Sequence, residues 1–146
     1  MARKSTIEPN EKVFVDTAAW IGLLLTSDEL HEQATETMRE LRRQDARLIT
    51  TEAILTEFLN ALSAVKFRVR AITFVDALRT LANVEIISNN AEIFENGLNL
   101  YRERTDKNWS LTDCESFVVM REREISLAFT SDKHFKQAGF VRLLEK

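Results

Sequence analysis

Four acids, Asp16, Glu57, Asp113 and Asp132, occupy positions where a carboxylate is costly unless something uses it. Asp16 directly follows Val13-Phe14-Val15, a continuous apolar run of the kind that forms a strand buried on both faces. Asp132 stands just past a second such run, Leu127 to Phe129. Either could simply cap the helix that follows it. In a helix read over Glu52–Lys66, the residues Ile54, Leu55, Phe58, Leu59, Leu62 and Val65 make one wide apolar stripe, opposed by Glu52, Thr56, Asn60 and Ser63. Glu57 belongs to neither group. It lines up with Ala53, Ala61 and Ala64, so it is either half-buried beside the core or a flank residue reaching solvent on its stem. Asp113 opens a helix over Asp113–Arg123 and shares its inward face with Phe117 and Met120. Ser110, Thr112 and Glu115 offer capping-box partners, so Thr112 can cap this helix and Asp113 need not, although the helix dipole favours an acid there.

Two carboxylates ~4 Å apart repel by about 4 kcal/mol at an effective dielectric of 20, so a fold that gathers several needs a counter-charge. Oxygen ligands without His or Cys select Mg²⁺ or Mn²⁺ over zinc. Such an ion lowers the pKa of a bound water and stabilises charge on a phosphate during hydrolysis, which makes an acidic pocket fit for phosphodiester chemistry. A formal charge of −3 gives no global basic field for nucleic acid, so contact would rest on the metal or on a local patch. The cations Arg102, Arg104 and Lys107 precede Asp113 and could grip a phosphate backbone; Lys66, Arg68 and Arg70 read more simply as a solvated helix end. Trp109 could stack a base but fits packing better, and Trp20 belongs in the core or at a dimer interface. His31 and His134 read as surface or cap residues without a visible general-base partner, and the lone Cys114 reads as a small buried hydrophobe. One cysteine excludes an internal disulfide and a cysteine-rich zinc site.

The elements that must position these acids alternate. Strands are expected at Val13–Val15, Leu48-Ile49, Val84–Ile87, Leu127–Phe129 and Val141–Leu143. Helices are expected over Thr17–Leu25, then after a Thr26-x-x-Glu29 capping box with Leu30, Ala34, Met38 and Leu41 at helical spacing, over Glu52–Lys66, over Ala71–Leu81 with Ile72, Val75 and Leu78 inward, over Ile93–Tyr101, over Asp113–Arg123, and as a turn at Lys133–Ala138. That alternation predicts an α/β fold, a parallel sheet of four to five short strands with helices on both faces. Ligands bind outside the carboxyl ends of such strands, where Asp16 and Asp132 both lie. With 146 residues, three glycines and one proline, the chain reads as a single domain over residues 13–146 behind a mobile arm, residues 1–12. The start carries no apolar leader segment, and the apolar run Ala18–Leu25 is too short to span a bilayer, which leads to the expectation of a cytoplasmic protein with no membrane partner.

Val13-Phe14-Val15-Asp16-Thr17, the helix containing Thr56-Glu57-Phe58, Asp106-Lys107-x-Trp109-Ser110-Leu111-Thr112-Asp113-Cys114 and Phe129-Thr130-Ser131-Asp132-x-x-Phe135 together resemble the PIN-domain ribonucleases, and among them the VapC-like toxins of toxin–antitoxin pairs. Asp28, His31 and Ala34 also look like that family, and the resemblance runs through the whole chain after the arm. The arm itself is a departure, because family members reach the first Asp sooner. The resemblance implies a PIN-like parallel-sheet nuclease that cuts RNA with Mg²⁺ or Mn²⁺, a cognate antitoxin that occupies the site, and a homodimer. It makes Asp16 and Asp113 the direct metal ligands, with Glu57 and Asp132 completing the pocket directly or through water. Thr17, Thr130 or Ser131 would hydrogen-bond a phosphate or a ligand water. Two other classes compete. A haloacid-dehalogenase-like phosphatase would want an acid where Ala18 stands, and a receiver-type module would want paired acids near the first strand. A non-catalytic PIN-like module that holds RNA or an antitoxin would have no need to keep all four acids.

Overall fold

The computed structural model describes residues 7–146. In chain order its elements are β1 (Lys12–Val15), α1 (Thr17–Leu24), α2 (His31–Arg43), β2 (Arg47–Thr51), α3 (Glu52–Ala61), α4 (Val65–Leu78), β3 (Val84–Ile87), α5 (Ala91–Glu103), α6 (Leu111–Glu122), β4 (Leu127–Phe129), α7 (Lys133–Gln137) and β5 (Val141–Arg142). The strands form one sheet in the order β3-β2-β1-β4-β5, and every neighbouring pair is parallel. Val13 pairs with Leu48 on one side and Leu127 on the other. This central position is why Val13, Phe14 and Val15 are wholly buried and apolar without alternation.

The chain winds outward from β1 through β2 to β3, then returns to the far side of β1 to make β4 and β5. Right-handed crossovers in opposite directions put helices on opposite faces. The helix contacts divide accordingly, α1 with α2 and α3, α3 with α4, and separately α5 with α6, α6 with α7. The reversal opens a crevice at the carboxyl ends of β1 and β4, where open α/β sheets bind ligands.

Several expected boundaries move. The helix read as Glu52–Lys66 stops at Ala61, and a new helix begins at Val65, which is 89% exposed and lies on no buried stripe. In α4 the inward residues are Ala71 and Leu78, with Phe74 ringed by Trp20 and Phe58, while Ile72 is 48% exposed. Val65, Phe67, Val69, Ala71, Ile72, Phe74 and Val75 are apolar nearly all round this helix, so periodicity could not set its phase. The Thr26 capping box does not form. Instead α2 starts at His31, and Asp28 closes the preceding turn by accepting from the Leu30 amide at 3.0 Å, with His31 Nδ1 against the Gly22 carbonyl at 2.8 Å. The arm read as mobile packs against the rest of the domain from residue 7 onward. Ile7 is buried, the Asn10 amide donates to Gln44 and the Arg47 amide to Glu11, while residues 1–6 lie outside the described part. No helix among the described residues is long and apolar enough to cross a membrane.

α5 and α6 pack closely because Gly97 has no side chain. A Cβ there would stand 2.6 Å from Cγ of Glu115 and 3.3 Å from its Cα and N. Gly97→Ala should therefore push α6 away, and a denaturant titration should show a loss of about 1–2 kcal/mol, the overpacking cost less the helix-propensity gain. A more stable alanine variant would contradict this packing.

Candidate functional site

Asp16 is placed by the sheet. Its amide continues the β1–β4 ladder by donating to the Phe129 carbonyl at 3.2 Å. Its side chain does not cap α1; it accepts the Thr130 hydroxyl on Oδ2 at 2.8 Å. The residue is 7% exposed, and burial pushes the carboxyl up to about 7, opposed by the Thr130 bond and reinforced by the charges of Glu57 and Asp132.

Glu57 is placed by α3, whose start is fixed by Thr51 Oγ1 accepting from the Ile54 amide. It is half-buried, the first of the two alternatives left open for it, although Ala61 is exposed and Ala64 falls outside the helix. Thr17 Oγ1 donates to Glu57 Oε1 at 2.7 Å. Burial raises the Glu57 carboxyl above its usual range, with Asp113 and Asp132 adding repulsion and Thr17 opposing.

Asp113 stands in the first turn of α6 with a side chain only 15% exposed. Here the expectation is corrected. The cap is Ser110, not Thr112, and Asp113 is its reciprocal partner. Ser110 Oγ accepts from the Asp113 amide at 3.0 Å, and Asp113 Oδ2 accepts from the Ser110 amide at 3.1 Å. Serine at the cap leaves the acid three residues on to reach back, a pairing Thr112 would not offer to Asp113. Burial is again the largest cause of a raised carboxyl, followed by the Ser110 bond, which lowers it, and by the charge of Asp132, which raises it.

Asp132 does cap α7, accepting from the His134 amide on Oδ1 at 2.9 Å, while its own amide donates to Thr130 Oγ1. It nevertheless stands among the other acids, since its charge acts on Asp16, Glu57 and Asp113 alike. The structure thus gathers all four sequence-picked acids. Among the described residues, no Lys or Arg pairs with Asp16, Glu57 or Asp113.

The neighbouring hydroxyls divide. Those of Thr17 and Thr130 are committed to carboxylates rather than open to a phosphate. Ser131 contributes its carbonyl, which accepts from Arg142 Nη1. Of the three cations, Arg102 bonds Asn99, and Arg104 forks onto Asp106 while stacking over Trp109; Lys107 lines the polar cleft beside them with Tyr101 and Asn108. Trp109 itself is packed against Phe117 and donates to Gln137, and Trp20 lies in the core.

His134 was missed. Its Nδ1 lies 3.1 Å from Asp113 Oδ2 and 3.4 Å from Asp132 Oδ1. Ligand atoms of Asp113, Asp132 and His134 all lie within 4.8 Å of one another. The available signal was the Asp-x-His spacing after a strand, which puts the imidazole back over its own cap.

The family model of the PIN domain matches residues 13–141. A Mycobacterium tuberculosis protein named 23S rRNA-specific endonuclease VapC20 is 28% identical over 131 residues, covering 90% of this chain and 97% of that one. The crystal structure of that VapC20, described as a sarcin–ricin-loop-cleaving toxin, superposes with a TM-score of 0.77 at 26% identity, covering 88% of this chain and 96% of the other. VapBC2 from Rickettsia felis, bound to a DNA fragment from its promoter, shares the fold at 13% identity with a TM-score of 0.67, covering 90% and 96%. A five-stranded parallel sheet with this order, a crevice of acids at its centre and a family match over nearly the whole chain agree, and the chain belongs to the PIN domain family.

Proposed function

We propose that this chain is a metal-dependent endoribonuclease, the toxin of a toxin–antitoxin pair, with Asp16, Glu57, Asp113 and Asp132 as its catalytic residues. One observation carries the reading. Three buried or half-buried carboxylates are pushed up together by burial and mutual repulsion, and none has a Lys or Arg partner among the described residues. Such a set is expensive without a divalent cation and suited to one, and its oxygen donors fit Mg²⁺ or Mn²⁺.

Asp16 and Asp113 would hold the ion, one fixed by Thr130 and the other by the Ser110 amide. Asp132 and Glu57 would act directly or through water. Bound there, the ion would supply a water of lowered pKa and neutralise charge on the phosphate. Glu57 accepts the Thr17 hydroxyl on Oε1, so Oε2 would be the oxygen that orients an attacking water and takes its proton. The name of the VapC20 relative supports RNA as the substrate class. Arg102, Arg104 and Lys107 would contact its backbone only weakly, since two of the three already have local partners. A cognate antitoxin, a homodimer and residence in the cytoplasm belong to the same reading. The exposed α4 stripe Val65, Val69 and Ile72 is apolar surface of the kind that protein partners cover.

The test is incubation of the purified protein with an RNA pool in Mg²⁺, in Mn²⁺ and in EDTA, beside Asp16→Asn and Asp113→Asn. Cleavage should need the metal and fall by about 10³-fold or more in each variant, the several kcal/mol that a bound cation contributes to the transition state. Undiminished cleavage by either variant, or binding of RNA without cleavage by the unmodified protein, would overturn the assignment.

A further inference from the structure

The side chain that the acid cluster leaves unexplained is His134, which is 21% exposed and aimed at two carboxylates. We propose that His134 is a positioning residue, whose Nδ1–H fixes Oδ2 of Asp113 so that Oδ1 is the atom presented to a cation. This rests on the metal-dependent reading above.

The geometry decides the ring's hydrogen. A bare lone pair on Nδ1 would face Asp113 Oδ2 at 3.1 Å and Asp132 Oδ1 at 3.4 Å, two anionic oxygens at once. With Asp113 and Asp132 ionised, the state in which they can hold a cation, Nδ1 is the donor, and its nearer acceptor is Asp113. That same Oδ2 also takes the Ser110 amide at 3.1 Å. Two donors thus converge on one oxygen of Asp113, while Oδ1 accepts no hydrogen bond among the described residues. A carboxylate pinned in this way cannot turn about its terminal torsion, so the free oxygen keeps one direction.

His134 is itself well fixed. Its amide donates to Asp132 Oδ1, the Asp132 amide donates to Thr130 Oγ1, and the Thr130 hydroxyl donates to Asp16 Oδ2. The imidazole is the last link of an unbroken line from Asp16, at the end of β1, to Asp113 on α6. These two acids come from different crossovers of the sheet, and His134 ties the turn after β4 to the first turn of α6. A donor without a long flexible stem does this without inserting an ammonium or guanidinium where the cation must sit. Hydrogen bonds to metal-ligating carboxylates are commonly worth about 10–100-fold in metal affinity.

The experiment uses side chains that mimic one ring nitrogen each. Asparagine places its amide N–H near Nδ1, and glutamine places it near Nε2. Mn²⁺ binding to the metal-free full chain is measured at one fixed pH by the electron paramagnetic resonance of free Mn²⁺, with thermal midpoints recorded in parallel. His134→Ala and His134→Gln should weaken Mn²⁺ binding about 10–100-fold. His134→Asn should stay within a few-fold of the unmodified protein. Unchanged binding in His134→Ala would overturn the assignment. So would rescue by glutamine and not by asparagine, which would make Nε2 the acting atom and His134 a ligand. Asparagine no better than alanine would overturn it as well. If the alanine variant melts too low to use, the asparagine–glutamine comparison decides alone. Failure of the unmodified protein to bind Mn²⁺ would overturn the metal reading and this proposal with it. Equal binding by every variant would overturn the proposal only.

Discussion

Asp16→Asn is expected to lose RNA cleavage by about 10³-fold or more and yet to melt at a higher temperature than the unmodified protein when both are free of metal. The two effects have one cause. Asp16 is 7% exposed, and its carboxyl is pushed up to about 7 mainly by burial. At pH 8 the native state must therefore hold a charge that the unfolded chain ionises far more readily. The gap from 3.8 to about 7 corresponds to a cost on the order of 4 kcal/mol. Asparagine removes the charge, and its carbonyl can still accept the Thr130 hydroxyl, but its new amide donors need partners in a buried place. A net rise of several degrees in the midpoint remains. Saturating Mn²⁺ should reverse the order, because only the unmodified protein retains the full ligand set. Differential scanning fluorimetry at pH 8 in EDTA and in Mn²⁺ checks this. An Asp16→Asn midpoint below that of the unmodified protein in EDTA would mean that the buried charge is already compensated within the chain, and the cation would lose its main support.

The fold was readable where burial leaves one solution. Val13-Phe14-Val15 is apolar at every position, which fits only a strand covered on both faces, and the acid that ends it stands at the crevice of the sheet. Glu57 was readable for a related reason. The first three turns of α3 have a clear stripe, and the acid falls beside it even though the helix ends before Lys66. The α4 phase was not readable, since that helix is apolar on most sides and its orientation comes from Trp20 and Phe58 across the interface. At Asp113 the inward position was visible, but two plausible caps stood close together, and the choice of Ser110 follows from reciprocal geometry that composition does not encode. The contact of His134 with Asp113 joins residues on two helices through the docking of α7 on α6, a relation fixed by tertiary packing alone.

The pH dependence of stability should run opposite to that of a protein held by paired carboxylates, and metal should invert it. Asp16 titrates near 3.8 when unfolded and at about 7 when folded. Between those values the native state holds a proton that the unfolded state has released, so the stability from this group declines by about 1.4 kcal/mol per pH unit as pH rises. The contribution is fully present below 3.8 and is lost as pH passes through about 7. Glu57 and Asp113, both raised chiefly by burial, act in the same direction. The many surface acids and bases add their own slope, but Asp16→Asn carries them too, and the difference between the two proteins isolates the buried group. The unmodified protein should therefore lose midpoint temperature relative to Asp16→Asn on going from pH 5 to pH 8 in EDTA. With Mn²⁺ the ion competes with those same protons. Its stabilisation should be small at pH 5 and largest at pH 8, approaching about 2.7 kcal/mol once its concentration is 100 times its dissociation constant. Parallel curves for the two proteins in EDTA would show that Asp16 carries no raised titration. A Mn²⁺ shift equally large at pH 5 would place the ion away from the buried acids. The predicted reversal of the two midpoints between EDTA and Mn²⁺ at pH 8 requires both a carboxylate raised by burial and a cation that relieves it, and neither feature alone produces it.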